Sequence, residues 1–170
     1  MSRYHRTTRE CPVSELRPAL YLAIRDYFQA QQLGDPETEV LLCCETTSTQ
    51  QPAGRLAAWL EGGGAATVSM GMLLTPQQLI WVRDADDAGA VLTAADLKQI
   101  RVRAYASPLT GDAGLEVFGV IGDARGRVRG YIGMGPEAAA QKFCEAVIQA
   151  VEAANPPVKR KLPRWLTLDR

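Results

Sequence analysis

The sequence is poor in the residues that catalysis and metal binding most often require. Among its 170 residues His5 is the only histidine, and the four cysteines show no C-x-x-C spacing. Histidine-based metal sites, Ser-His-Asp triads and Cys-His pairs are therefore disfavoured, because each needs a well-placed imidazole. We expect free, reduced thiols, no metal, no cofactor and no enzymatic activity.

Long apolar runs are also missing. The run VLLCC at residues 40–44 stops at Glu45, far short of the roughly 20 residues that cross a bilayer. The first 13 residues contain no apolar stretch of the kind that a secretory signal requires. A soluble, cytoplasmic protein is the expectation.

Charge of neither sign predominates, because 19 basic residues balance 19 acidic ones. The distribution is nevertheless uneven: residues 1–13 carry three arginines against Glu10, and residues 155–170 carry five basic residues against Asp169. The stretch between them is net acidic, and its length suits one hydrophobic core. We therefore predict a basic arm at 1–13, a single domain at 14–154 and a basic tail at 155–170.

Two segments have the periodicity of amphipathic helices. Residues 15–33 place an apolar residue at every third or fourth position before Gly34 and Pro36, which predicts an N-terminal helix. A second helix is predicted to begin at Pro136, where proline suits the first helical position. One apolar stripe runs along it: Phe143, Val147, Ala150, Val151 and Ala154.

Between the helices the pattern changes to short apolar or β-branched runs separated by turn residues. Seven strands are predicted, at 40–47, 66–75, 78–83, 90–93, 98–105, 115–121 and 127–134. Along 66–75 one alternating set of residues is wholly apolar, and the other contains Thr67, Ser69, Gly71 and Leu73, which predicts one buried and one solvent-exposed face. The short connections indicate antiparallel neighbours, and no stretch offers the helical crossover of a parallel sheet.

Seven strands followed by a C-terminal helix resemble the order of pleckstrin-homology-like (PH-like) domains. Residues 73–82, LLTPQQLIWV, are similar to the second hairpin of bacterial PH-like and GRAM-like proteins of uncharacterised function. The resemblance covers about residues 40–154 and implies a mainly β fold. Its form would be a seven-strand antiparallel barrel or sandwich capped by a C-terminal helix, with the N-terminal helix as an addition.

A second architecture stays open. Residues 94–98, AADLK, could instead form a helix between two groups of strands. That order would resemble the α+β fold of type III secretion chaperones.

The PH-like resemblance implies a binding scaffold, whose ligands can be inositol lipids, peptides or proteins. Lipid-binding members resemble one another in a basic cluster around the first hairpin loop, where this chain has Arg55 alone. Specific phosphoinositide binding is therefore not expected, and neither is nucleic-acid binding.

Two groups of basic residues are candidates for an interaction surface. On the predicted strands Arg101 and Arg103 alternate, as do Arg127 and Arg129, so that each pair shares one strand face. The alternative is a solvated face on which Glu116 makes surface ion pairs. The second group lies in the tail and combines charge with an aromatic anchor: Lys159, Arg160, Lys161, Arg164 and Trp165.

These patterns predict a non-enzymatic scaffold or interaction module that binds a protein or peptide, with self-association as the simplest version. One alternative is weak peripheral binding to an anionic membrane through the basic tail. Another is a secretion-chaperone-like α+β protein.

Overall fold

The computed structural model describes residues 4–50, 67–85, 89–106, 113–122 and 124–156. Its strands are β1 (Tyr4–Glu10), β2 (Leu42–Gln50), β3 (Thr67–Leu74), β4 (Gln78–Ala85), β5 (Gly89–Asp96), β6 (Ile100–Ala106), β7 (Ala113–Val120) and β8 (Arg127–Met134). Its α-helices are α1 (Pro18–Gln31), the one-turn α2 (Pro36–Glu39) and α3 (Ala138–Ala154). None of these helices is both long enough and apolar enough to span a membrane.

The strands form two antiparallel sheets. The first sheet has the order β1-β2-β3-β4-β5 and the second has the order β6-β7-β8. The predicted hairpin around Thr75 is confirmed: its hydroxyl accepts a hydrogen bond from the Gln78 amide at 2.9 Å, which tightens the turn between β3 and β4. The mainly β fold with a C-terminal helix is confirmed, whereas the strands of the described segments do not close into a barrel.

The described residues contain eight strands instead of the predicted seven. The additional strand is β1, in a segment predicted to belong to a basic arm, and it pairs with β2 over its whole length. Arg9 of β1 pairs with the buried carboxylate of Glu45 on β2 at 2.6 Å. The predicted number of strands was wrong for two reasons. The segment is highly charged, so its two β-branched residues, Thr7 and Thr8, gave only a weak strand signal. Its pairing partner also lies some 40 residues away in the sequence.

The first predicted helix occurs as α1, but it is not the N-terminal element because β1 precedes it. Pro18 occupies the start of α1, where its missing N–H costs no hydrogen bond. The C-cap residue of the helix is Gln32, which has a left-handed backbone (φ 54°). Its amide donates hydrogen bonds to carbonyl groups of the last turn.

Helix α1 covers one face of the first sheet, and this overturns the prediction of a solvent-exposed face on β3. The side chains of Leu20, Ile24 and Phe28 pack against Leu73 and Ile80. On the opposite face of β3, Met72 and Leu74 belong to the main core. Both faces at the middle of the sheet are therefore buried. The alternation of residues along β3 could not predict that α1 packs on its second face.

The main core lies between the two sheets and α3. Phe143, Val147 and Val151 of α3 pack with residues of both sheets, among them Leu79 of the first and Leu115 of the second. The predicted apolar stripe of the C-terminal helix is thus confirmed. The helix starts at Ala138, two residues after the predicted Pro136.

Residues 94–98 do not form the middle helix that the second architecture required. Ala94, Ala95 and Asp96 complete β5, and a turn over 97–99 leads into β6. Within this turn the Asp96 carboxylate accepts a hydrogen bond from the Lys98 amide at 2.8 Å. A polar residue that favours a local turn therefore ends the strand here.

The adjacent cysteines of β2 point to opposite faces of the sheet. Cys43 lies among the residues packed under α1, and Cys44 lies in the main core. All four cysteines are free thiols. Burial raises the pKa of the Cys43 thiol and raises that of Cys44 to about 12, from an ordinary value of 9.0.

Replacing Phe143 by Ala is predicted to lower the free energy of unfolding by about 3–5 kcal/mol, because it leaves a cavity where both sheets meet α3. Urea denaturation followed by circular dichroism measures the effect. The control is Gln149→Ala, at an exposed position of the same helix, which is expected to change little. Equal stability of the two variants would show that α3 does not hold the core together.

The buried Cys44 thiol is predicted to make stability fall in alkaline solution. Below pH 9 the thiol is neutral in both states, so its contribution is fully present. Between pH 9 and about 12 the unfolded thiol ionises while the native one stays neutral, and this favours unfolding. Urea unfolding at about pH 8 and about pH 10.5 should show a smaller alkaline loss for Cys44→Ala than for the unmodified protein. An identical loss in both would contradict this assignment.

Candidate functional site

The second sheet has one face in the core and one face towards solvent. Alternate residues such as Leu115, Val117 and Ile132 face the core. The register places the remaining residues of each strand on the other side, which we call the basic face. Its members are Arg101, Arg103, Tyr105, Glu116, Phe118, Val120, Arg127, Arg129 and Tyr131.

Strand register brings the predicted arginines together in rows across this face. Arg101 on β6 lies opposite Phe118 on β7, which in turn lies opposite Arg129 on β8. The next row joins Arg103, Glu116 and Tyr131. Neighbouring side chains on one face of an antiparallel pair are close enough to interact directly.

Glu116 organises the centre of the basic face. Its carboxylate is buried, with 8% of the side chain exposed, and each of its oxygens forms an ion pair with a guanidinium group. Oε2 accepts a hydrogen bond from Arg103 Nε, and Oε1 forms an ion pair with Arg129 Nε at 3.1 Å. The predicted alternative had Glu116 at the surface; its pairing is confirmed, but the carboxylate lies beneath two exposed arginines and holds them in place.

Phe118 provides a platform for the same two arginines. The guanidinium carbon of Arg129 lies 4.6 Å from the ring centroid, and that of Arg103 lies 5.7 Å from it. Cations at these distances are attracted by the negative face of the ring. Ion pairs on one side and the aromatic ring on the other thus restrict both side chains to a narrow range of positions.

Two tyrosines extend the face beyond these pairs. The rings of Tyr105 and Tyr131 meet edge to face, with their centroids 5.3 Å apart. The Tyr131 hydroxyl donates a hydrogen bond to the Ala113 carbonyl at 2.9 Å. Both rings remain partly exposed, so that the face combines fixed cations with fixed aromatic surface.

The other two arginines are not neutralised by any described acidic side chain. Within the described part of the chain, neither Arg101 nor Arg127 forms an ion pair. Both border an open groove of about 890 Å³ at the end of the sheet where β6 begins, together with Lys98 and Arg129. No acidic side chain is among the described residues that line this groove, so its potential is positive.

Glycine at position 119 allows the strands that carry these residues to approach closely. The backbone of Gly119 has φ +141°, and a Cβ atom there would lie 2.1 Å from the Gln99 carbonyl oxygen. That carbonyl accepts a hydrogen bond from the Val120 amide at 3.4 Å. Any larger residue would push the start of β6 away from β7.

The structure thus assembles Arg101, Arg103, Arg127 and Arg129, the four predicted strand arginines, on one face. The tail candidates Lys159, Arg160, Lys161, Arg164 and Trp165 lie outside the described residues, as does Arg55 of the loop considered for lipid binding. The aromatic members of the face, Tyr105, Phe118 and Tyr131, were not predicted from the sequence. Their position could have been predicted from strand alternation. Each aromatic residue lies two positions from an arginine or glutamate of the same strand and therefore on the same face.

Other chemistry-bearing residues are dispersed. Among the described positions no three histidine, cysteine or acidic side chains come together in a way that could hold a metal ion. Asp84 is described, whereas its acidic neighbours Asp86 and Asp87 lie outside the described residues. His5 on β1 is exposed and lies opposite Thr49.

Comparisons with protein-family models, with curated proteins and with solved structures find no match for this chain. The interpretation of the basic face therefore depends on its own geometry and charge.

Replacing Glu116 by Gln is predicted to lower the free energy of unfolding by about 1–2 kcal/mol, because the change removes a charged acceptor shared by two arginines that stay solvated. Thermal or urea denaturation at low and high salt measures it, and the difference should shrink as salt screens the pairs. Glu145→Gln, at an exposed position on α3, is the matched control. A Glu116→Gln protein as stable as this control would mean that the carboxylate does not organise the face.

Proposed function

We propose that this protein is a non-enzymatic interaction module that binds a protein or peptide partner through its basic face. The supporting observation is the arrangement around Glu116: one buried carboxylate restrains Arg103 and Arg129, while Arg101 and Arg127 have no acidic partner among the described residues. Restrained cations favour binding because less side-chain entropy is lost on association. Free cations beside them supply the attraction for an acidic partner.

The composition of the basic face resembles that of binding hot spots. Arginine and tyrosine are enriched where partners contribute most to affinity, and here both lie on the rigid strands of a sheet. The chain as a whole has no net charge. The excess of positive charge is therefore a local property of this face, which favours recognition of an acidic patch over general attraction to polyanions.

Simultaneous replacement of Arg101 and Arg127 by Gln is predicted to reduce capture of the partner strongly. Both side chains are exposed and unpaired within the described chain, so the fold should remain intact. Affinity purification from native lysate with quantitative mass spectrometry compares this variant with the unmodified protein. A loss of at least about tenfold in the specifically enriched protein is expected, equivalent to about 1.4 kcal/mol.

The matched control for this experiment is Arg25→Gln. Arg25 is an exposed arginine on α1, which covers the first sheet, and its neighbour is Asp26. This variant should retain the partner. If the control and the double variant lose the partner equally, or if neither loses it, the basic face is not the binding surface.

A further inference from the structure

Strand β6 forms an open edge of the second sheet. It pairs with β7 on one side only, and no other described residue makes a backbone hydrogen bond to it. Exposure along the strand supports this arrangement. From Arg103 to Ala106 every residue is exposed, although successive residues point to opposite faces. Neither α3 nor β5 therefore covers the second half of this strand.

The hydrogen-bond alternation identifies the groups that this edge presents. The Val120 amide donates to the Gln99 carbonyl, so the backbone N–H and C=O groups of Gln99 point towards β7. Because this direction alternates along a strand, the backbone groups of Arg101, Arg103 and Tyr105 also point towards β7. The residues between them, Val102, Ala104 and Ala106, direct their N–H and C=O groups away from β7. This row of backbone donors and acceptors is available to a further strand.

The side chains along the edge differ between its two faces. On the basic face a new strand would lie beside Arg101 and Arg103, and on the opposite face it would lie beside Val102 and Ala104. Directly opposed side chains on neighbouring strands interact most favourably when their charges are opposite and their apolar surfaces meet. The matching segment is therefore extended, with acidic residues alternating with small apolar ones.

We propose that the partner binds by adding such an acidic strand to the free edge of β6. This inference rests on the proposed function and specifies the chemistry of the partner. Main-chain hydrogen bonds hold the strand, and the arginines select it by charge. Arg101, on β6 itself, has no ion-pair partner within the described chain and receives a carboxylate of the added strand. Arg127 lies on β8, across the open groove, and adds positive potential that attracts the acidic strand without touching it.

A second copy of the chain fits this edge less well. If two β6 strands paired with each other, Arg101 and Arg103 of both copies would meet on the same face, where like charges repel. Charged residues on an edge strand are a common protection against such self-pairing. The C-terminal segment 159–164 of the chain itself is basic and carries the same sign of charge.

The test uses the full chain and a fluorescent ten-residue peptide of alternating Glu and Val, with binding followed by fluorescence anisotropy. Saturable binding is expected, weakening as salt is raised. The peptide of alternating Gln and Val should bind at least about tenfold more weakly, and the Lys and Val peptide should not bind. Arg101→Gln/Arg127→Gln should lose affinity for the acidic peptide, whereas Arg25→Gln should retain it.

Strand addition itself is tested by two N-methylated versions of the acidic peptide. One is methylated at every Glu and the other at every Val. In an added strand only alternate N–H groups face β6, so one methylated peptide should lose binding and the other should retain it. Equal effects of both modifications would show that the peptide binds without joining the sheet.

Three further results would each overturn this inference. If the native partner depends on Arg101 and Arg127 but no acidic peptide binds, the proposed function stands and strand addition is wrong. Formation of a dimer that Arg101→Gln/Arg103→Gln strengthens would assign the edge to a second copy. Flotation with anionic vesicles that requires Arg101 and Arg127, in the absence of peptide binding, would assign the face to a membrane surface.

Discussion

The packing of α3 against both sheets is the constraint on which the rest of the structure depends. Among the described strands, none of the first sheet pairs with one of the second, and Phe143, Val147 and Val151 supply apolar contacts that join the two sheets. Each fully buried side chain of this kind contributes about 1.5–3 kcal/mol relative to an exposed one. Because α3 covers the inner face of the second sheet, the outer face of that sheet is the one left to solvent.

Hydrogen bonds between β1 and the connection from β8 to α3 reinforce this arrangement. The Thr8 hydroxyl on β1 accepts a hydrogen bond from the Gly135 amide, while the Thr8 amide donates to the Glu137 carboxylate at 2.9 Å. The start of α3 is thereby attached to the first sheet through β1. The second sheet is held at this end by hydrogen bonds and along its middle by apolar packing, and its strands can act as a rigid support for the basic face.

Much of the secondary structure could be predicted because its signals are local. The C-terminal helix follows from an apolar stripe at helical spacing, and β8 was predicted with the bounds that the structure shows. Strand β1 was missed because a single charged strand has little signal of its own until Glu45 and the rest of β2 are placed beside it. The cover of α1 over Leu73 and Ile80 was missed because alternation along one strand describes only that strand. At the candidate site the arginines were predicted, but the rows that join them to Phe118 and Tyr131 were not.

The sequence by itself determined the periodicities, the parity of the arginines on their strands and the absence of histidine clusters, since these properties depend only on the order of residues. The tertiary structure decided that Glu116 is buried under Arg103 and Arg129, that Arg101 and Arg127 stay without an acidic partner in the described chain, and that β6 is an edge. The physical reason is that burial and charge pairing arise between strands. A side chain acquires its electrostatic role only when the register of its neighbours is established.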